Sequence, residues 1–497
     1  MTSAYFIVAA WLACLPAQLL PAQTGDAAKL HRGRELMATG KTEEALAVYE
    51  ELVRASPDDP SLRTNLAIAQ FKAGRFRQVV ENCEQVLRAQ PDLWTANLFL
   101  GAGYVELGEP ARAVDPLEKV LAARPEERNA LILLAGAQLS LERYEAAMLQ
   151  YRKSSELSPE SPAVWYGLGQ SLEGLARTAA AELAGKYPDS EFHAVVTADV
   201  QLKQKLYGGA FRNFQRALAH QPVLGGLYAG LANLYRETGH EDWAKSAEAK
   251  ERALPPPDCA RSRAACDFAA GRYWEVLDAT KAGNSAEALY WTSRASQELA
   301  GQAYARLAKL PPSAESHELA ARELDRRGRN LEAAKEWRQA LSLSPRSRRL
   351  KVGLAWSLYM GRDHKAVLEL LDGLLREDPD SVELNFLHGA SLASTEQFDK
   401  AIPSLEKALS RDPTFLPARA ALGQAYLRVG KAEQAIPHLK ASLSTDEDGS
   451  RHYQLVRAYQ ALGRLEDARE ALAEHQRLLQ AIAERTRQEH GSEITAP

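Results

Sequence analysis

The chain has 497 residues, 45% apolar and 25% charged, which is typical of soluble folded proteins and excludes a disordered or collagen-like chain. Its 61 basic residues nearly balance 65 acidic ones, and the formal charge of -4 argues against a nucleic-acid partner. Because a single core rarely grows beyond roughly 250 to 300 residues, this length indicates several domains or an array of repeats.

The first 23 residues have the pattern of a secretory signal peptide. Residues 5–20 form an uncharged apolar run that is interrupted by Pro16 and is shorter than the roughly 20 residues needed to cross a bilayer. A charged, helix-forming sequence begins at Asp26. We therefore expect an exported protein, periplasmic or secreted. Lipidation at Cys14 is disfavoured because the residues before it form a poor lipoprotein signal and more apolar sequence follows.

Prolines recur through the rest of the chain at a spacing of 34 residues within three groups. They are Pro57, Pro91, Pro125 and Pro159, then Pro222 and Pro256, then Pro311, Pro345, Pro379 and Pro413. Most units also carry a small residue in an apolar stretch, a glycine, and an alanine twelve residues before the proline. Apolar residues at three- and four-residue spacing predict two short amphipathic helices per unit, with the glycine at the turn and the proline ending the second helix.

The third unit shows the pattern as Gly101, Tyr104, Gly108, Ala113 and Pro125. In period and residue types the repeat resembles the tetratricopeptide family. The resemblance extends from about Asp26 to Gln480 and implies an all-α solenoid of roughly fourteen helical hairpins, wound as a right-handed superhelix. Because helices of this length are marginal alone in water, each hairpin must bury its apolar faces against its neighbours.

Two irregular joints interrupt the array, near residues 164–187 and 255–312. The segment Val164–Lys186 lacks the glycine turn, and a similar sequence recurs 124 residues later. Each copy is predicted to form one helix of about 20 residues in place of a hairpin. The joints divide the chain into five segments. These are a signal peptide at 1–23, repeat blocks at 26–187, 188–312 (irregular) and 313–489 (with a capping helix), and a disordered tail at 490–497.

The four cysteines are too few for a disulfide framework. Cys83 occupies a position that is apolar in other repeats and is predicted to be a buried core residue. Cys259 and Cys266 would lie about 10 Å apart on one helix, so they can pair only if Cys259 lies in the proline-rich turn at 254–258.

No motif for catalysis or metal binding occurs in the chain. HExxH, paired CxxC, GxxxxGK[ST], GxSxG and EF-hand loops are all missing. Since nearly every segment belongs to a repeat, no further domain remains to hold a catalytic fold. We predict a protein that is not an enzyme, with no catalytic residues, no metal site and no cofactor.

In the tetratricopeptide family the first helix of each hairpin lines a groove that receives an extended peptide or a partner helix. The resemblance therefore implies a binding surface on the first helices of this chain. The candidate groove residues are Phe71, Phe99, Leu133, Tyr166, Arg322, Trp356, Tyr359, Phe386 and Tyr453. Trp356, Tyr359 and Phe386 are the predicted anchors. In the alternative interpretation, many of these side chains only pack neighbouring first helices together.

The sequence thus predicts an exported, non-catalytic scaffold that binds a protein or peptide in its groove. One alternative is a structural subunit of an envelope or secretion complex, and another is a recognition arm for a separate enzyme. Residues 321–351 carry ten basic against four acidic side chains, which indicates either a solvated helix face or a patch for an acidic partner or an anionic lipid head group. The second option would give peripheral envelope association. The oligomeric state stays open.

Overall fold

The structure, a computed structural model, describes residues 24–281, 283–490 and 494–496. All regular secondary structure in these ranges is helical, which confirms the predicted all-α class. The predicted signal peptide and Cys14 lie outside the described residues. Within the described ranges, no helix combines the length and apolar composition needed to cross a bilayer.

The described helices form twelve hairpins and two long single helices. The first hairpins are α1 (Thr24–Ala38) and α2 (Thr42–Ala55), α3 (Pro60–Ala73) and α4 (Phe76–Ala89), α5 (Trp94–Leu107) and α6 (Pro110–Ala123), and α7 (Arg128–Ser140) and α8 (Tyr144–Leu157). After the single helix α9 (Pro162–Lys186) come α10 (Glu191–Lys203) and α11 (Tyr207–His220), α12 (Leu227–Glu237) and α13 (Glu241–Arg252), and α14 (Arg263–Ala269) and α15 (Tyr273–Thr280).

The second single helix is α16 (Ala286–Leu307). It is followed by α17 (Ala314–Arg326) and α18 (Asn330–Leu343), α19 (Arg348–Met360) and α20 (His364–Glu377), α21 (Val382–Ser394) and α22 (Phe398–Arg411), α23 (Leu416–Arg428) and α24 (Ala432–Ala441), and α25 (Ser450–Ala461) and α26 (Leu465–His490). Odd-numbered helices up to α7 and from α17 onward are the first helices of their hairpins.

Small residues in the first helices set how closely the two helices of a hairpin approach. A Cβ atom added at Gly101 would lie 2.5 Å from Cγ of Leu117, and one added at Gly389 would lie 2.6 Å from Cγ of Leu405. Both distances are well inside van der Waals contact. The small residues therefore let the two helices of a hairpin pack closely.

The two long helices, α9 and α16, replace hairpins as predicted, with 25 and 22 residues. They pack against each other in antiparallel orientation. Ser293 Oγ–H donates a hydrogen bond of 3.1 Å to the carbonyl oxygen of Ala176, and a Cβ at Gly169 would collide with the ring of Tyr304. Ser293 lies 124 residues after Gly169, at the duplicated position. The two copies of the irregular segment therefore pack against each other, in place of the second helix that each copy lacks.

Contacts between helices group the chain into two compact units. The first unit comprises residues up to Glu182 together with Cys259–Glu315, and the second comprises Leu183–Asp258 together with the residues from Ser316 onward. The changes of unit fall near the predicted joints. However, the central block at 188–312 is divided between the two units, so the three sequential blocks do not correspond to three compact bodies.

Within the second unit, the C-terminal helix connects distant parts of the sequence. Helix α26 packs against α25, its hairpin partner, and also against α11. The hydroxyl of Tyr235 on α12 donates a hydrogen bond of 3.1 Å to the carbonyl oxygen of Thr495. These contacts hold α11 and α12 in the same unit as the C-terminal hairpins and place part of the predicted disordered tail.

The central turn contains a disulfide between Cys259 and Cys266, with a Cα–Cα distance of 5.5 Å. Cys259 lies in the turn that follows the prolines and Cys266 lies on α14, which is the arrangement that pairing requires. The adjacent side chain of Asp267 is buried and accepts hydrogen bonds from Arg272. Those bonds lower the pKa of the Asp267 carboxyl.

The cysteines give a first testable prediction. Cys83 is fully buried, and burial raises the pKa of its thiol to about 12, so it should be unreactive in the folded protein. In protein lacking residues 1–23, we expect no thiol to react under native conditions, one after denaturation, and three after denaturation with reduction. Thiol titration measures this count. A thiol that reacts in the native protein would contradict the structure.

Candidate functional site

Four candidate groove residues of the first unit belong to its core. Phe71, Phe99 and Leu133 are buried within one hydrophobic cluster, and the rings of Phe71 and Phe99 lie 5.6 Å apart. Tyr166 is only 1% exposed. On α5 and α7, ten consecutive residues are buried on each helix. In the first unit, the interpretation that these side chains pack neighbouring helices therefore describes the structure better than an open groove does.

In the second unit, the three predicted anchors lie together. The ring of Trp356 on α19 lies 6.0 Å from that of Tyr359 and 5.9 Å from that of Phe386 on α21. The chain continues the cluster with Phe415, at the start of α23, 5.3 Å from Phe386. We call Trp356, Tyr359, Phe386 and Phe415 the aromatic patch. It extends across three successive first helices, which is the arrangement expected for a groove wall.

The aromatic patch is partly open to solvent. Trp356, Tyr359 and Phe415 are half-buried, whereas Phe386 is 6% exposed and forms the base of the patch. Met360 follows Tyr359 on α19 and is 58% exposed. Sequence reasoning missed Met360 and Phe415, although both lie at helix ends next to predicted anchors. A flexible thioether beside exposed aromatic faces is a surface that can adapt to an apolar partner side chain.

Carboxylates fix the orientation of the patch. The indole Nε1–H of Trp356 donates a hydrogen bond to Glu383, at the start of α21. On α17, the nearly buried Glu318 forms an ion pair with Arg349 of α19. Asp325 accepts hydrogen bonds from Trp337 Nε1–H at 3.2 Å and from Ser357 Oγ–H at 2.7 Å. Because these bonds link α17, α18, α19 and α21, the patch is a preformed surface.

The other two candidates of the second unit, Arg322 and Tyr453, are exposed. Arg322 is exposed on α17, at the groove position of the preceding hairpin. Tyr453 is 51% exposed on α25, and its ring lies 5.6 Å from that of His475. The structure therefore brings three of the nine predicted residues together at a partly open surface, whereas Phe71, Phe99 and Leu133 meet in the core.

Acidic neighbours offset much of the basic stretch at 321–351. Arg326 and Arg327 both pair with Glu323 at 2.7 Å, and Arg348 pairs with Asp378 at 2.7 Å. Arg329 pairs with Glu332 at 2.5 Å. Such exposed pairs contribute little to stability, but they reduce the local positive potential. Asp378, and Glu377, which pairs with Lys351, lie outside the counted stretch, so composition alone overstated its charge.

Three half-buried histidines make the stability of the second unit depend on pH. Burial lowers the pKa values of His364, His388 and His438 below the ordinary 6.5. The unfolded chain therefore binds more protons than the folded one in the interval just below pH roughly 6.5, and stability decreases as pH falls through it. We expect a lower unfolding temperature at mildly acidic pH than at neutral pH.

Thermal unfolding of the protein with all three histidines replaced by glutamine is the control for this prediction. Removing the imidazoles should reduce the pH dependence below neutrality, leaving the part that other groups contribute. An unchanged dependence would show that these histidines do not cause it.

In the described ranges, no three His, Cys, Asp or Glu side chains converge in a group that could hold a metal ion.

Two models of the tetratricopeptide repeat match the chain, one at residues 36–99 and 392–456 and the other at 98–162 and 319–382. Together they cover about half of the sequence, including α19 and α23. The chain belongs to the tetratricopeptide repeat family. This tetratricopeptide protein thus has the fold that its 34-residue period predicted, in a family of protein-binding repeat scaffolds.

Individual relatives match only parts of the tetratricopeptide protein or match it loosely. A peroxisomal targeting signal receptor of Candida albicans is 29% identical over 124 residues, which are 24% of this chain and 21% of that protein. A MamA fragment of Desulfovibrio magneticus is 25% identical, with a TM-score of 0.29, and covers 30% of this chain and 85% of the fragment. A tetratricopeptide repeat protein of Parabacteroides merdae is 15% identical, with a TM-score of 0.34, over 68% of this chain and all of that one.

Proposed function

We propose that the protein is a non-catalytic scaffold that binds an apolar segment of a protein partner at the aromatic patch. The observation that carries the proposal is the half-open cluster of Trp356 and Tyr359 beside the exposed Met360. Partly exposed aromatic residues in preformed pockets are the usual energetic centres of protein interfaces. The partner side chains that fit are aliphatic or aromatic, because the indole N–H of Trp356 is already bonded to Glu383.

The face that carries the patch distinguishes this proposal from its alternatives. First helices in this family receive extended peptides or helices, so a partner segment should lie across α19, α21 and the start of α23. A structural subunit would instead use second helices and the ends of the array. A recognition arm for a separate enzyme would use the same patch, but the captured partner would be catalytically active.

Site-specific photocrosslinking in the native host tests the proposal. A photoreactive residue at Met360 should crosslink to one partner, whereas the same residue at Leu149, 43% exposed on the second helix α8, should not. Peptide mapping of the adduct identifies the captured segment, which should be rich in apolar side chains. Crosslinking from Leu149 and not from Met360 would overturn the proposal, and activity of the partner would favour the recognition arm.

We propose further that the protein is exported. The apolar run before Asp26 supports this, and so does the Cys259–Cys266 disulfide, because disulfides persist mainly in oxidising compartments. N-terminal sequencing of the protein from fractionated cells tests the proposal. We expect a mature chain that begins shortly after residue 22 in the periplasm or medium. A cytosolic protein that retains residues 1–22 would overturn it.

A further inference from the structure

The C-terminal helix α26 exposes a row of leucines. Leu465, Leu472 and Leu479 are 59%, 37% and 43% exposed and recur every seven residues. Seven residues are close to two helical turns, so the three side chains form one stripe about 21 Å long. Gln476 and Ala483, both exposed, lie on the same side of the helix. The predicted capping helix at the end of the array is therefore partly apolar on its exposed side.

This stripe is not the face by which α26 joins the second unit. The residues that face the unit are Ala468, Ala471, His475, Leu478 and Ile482, which are buried or half-buried. His475 contacts Tyr453 of α25, and its Nδ1 lies 3.0 Å from the carbonyl oxygen of Gly449. The leucine stripe lies beside this inner face, so the helix is apolar over a wider arc than its hairpin partner covers.

The charges beside the stripe favour a second copy of the same helix as its occupant. Glu466, Arg469, Glu484 and Arg487 are all exposed and flank the stripe on one side. When two copies of α26 run antiparallel about a two-fold axis between Gln476 and Arg477, residues equidistant from the axis face each other. Glu466 then faces Arg487 of the other copy, and Arg469 faces Glu484.

The same register interleaves the leucines. Leu472 of each copy falls between Leu479 and Ala483 of the other, and Leu479 falls between Leu472 and Gln476, so apolar side chains line the seam while all four flanking charges meet opposite charges. A two-fold interface of this kind is closed, because the same surface is used on both chains. Head-to-tail stacking would place α26 of one copy against α1 of the next and is disfavoured. Helix α1 exposes Arg32, Arg34 and Glu35 and offers no apolar surface to match the leucine stripe.

We infer that two copies of the protein associate through α26 in this antiparallel arrangement. The interface is independent of the aromatic patch, so a partner and a second copy can bind at once. Dimerisation presents two aromatic patches in one particle, which raises the avidity for a partner that carries two binding segments.

Sedimentation equilibrium of the full mature protein over a concentration series tests the inference. We expect a reversible dimer for the wild type and a monomer for Leu472→Glu/Leu479→Glu. As a matched control, Leu149→Glu places the same charge at an exposed leucine of α8 and should leave the dimer intact. A wild type that stays monomeric throughout, or a dimer that survives the double leucine substitution, would overturn the inference.

Charge exchange tests the register. Arg469→Glu alone places two carboxylates opposite each other at both symmetric positions and should weaken the dimer about 10-fold. Glu484→Arg alone should weaken it similarly. The double variant Arg469→Glu/Glu484→Arg restores opposite charges and should return the dissociation constant to near the wild-type value. A double variant that is weaker than either single one would exclude the antiparallel register. These surface variants should retain the helicity of the wild type, as circular dichroism can verify.

Discussion

Replacing Gly353 with alanine is expected to destabilise the second unit by about 2 to 3 kcal/mol. A Cβ atom at this position of α19 would lie 2.6 to 2.7 Å from three ring atoms of Trp337. The indole cannot turn away freely, because it is 5% exposed and bonded through Nε1–H to Asp325. The new methyl group must therefore displace either the ring or the helix.

The matched control for this substitution is Gly373→Ala on α20, the other helix of the same hairpin. Apart from its chain neighbours and the backbone of its own helix, no atom lies within 4 Å of a Cβ there, and the glycine is internal to the helix. Alanine should stabilise this site by about 0.5 to 1 kcal/mol through its helix propensity. Urea denaturation followed by circular dichroism measures both changes. Equal effects at the two sites would refute the packing argument.

Replacing Trp356 and Tyr359 together with alanine is expected to weaken partner binding by at least about 30-fold. This corresponds to about 2 kcal/mol, the loss that marks an interface anchor. The two aromatic rings are two of the three half-buried rings of the patch, and removing them takes away the side chains that cover Phe386. Affinity for the segment crosslinked through Met360, measured by calorimetry, checks the prediction.

Trp243→Ala is the control for the double substitution. Trp243 is a half-buried aromatic residue of the same unit, stacked on His240 at 4.1 Å, but it lies on the second helix α13. Its removal should cost some stability and leave partner affinity unchanged. If the Trp356 and Tyr359 variant keeps its helicity and still binds as the wild type does, the patch is not the binding site.

Local patterns explain why much of the fold could be predicted. The glycines of the first helices and the two long helices could be predicted from residue spacing, because that spacing reflects structure over the length of one hairpin. The pairing of α9 with α16 could not be predicted, because Ala176 and Ser293 meet across 117 residues and no local pattern encodes that contact. The same holds for the contact of α26 with α11.

The candidate site was partly predictable for a related reason. A groove position has the same place in every repeat, so it can be transferred from one repeat to the next. This transfer located Trp356, Tyr359 and Phe386. Whether a groove position is open depends on what surrounds it in space, so Phe71 and Tyr166 matched the pattern as well and are nevertheless buried. The exposed leucines of α26 were missed because polar residues predominate around them, in residues 465–489.

Hydrogen–deuterium exchange of the protein with and without its crosslink-identified partner segment tests the central claim most directly. Because the segment is proposed to cover the aromatic patch, exchange should slow in α19, in α21 and at the start of α23. The second helices α18, α20 and α22 should change little. Slowing confined to second helices, or to the ends of the array, would contradict binding at the patch and favour a structural subunit.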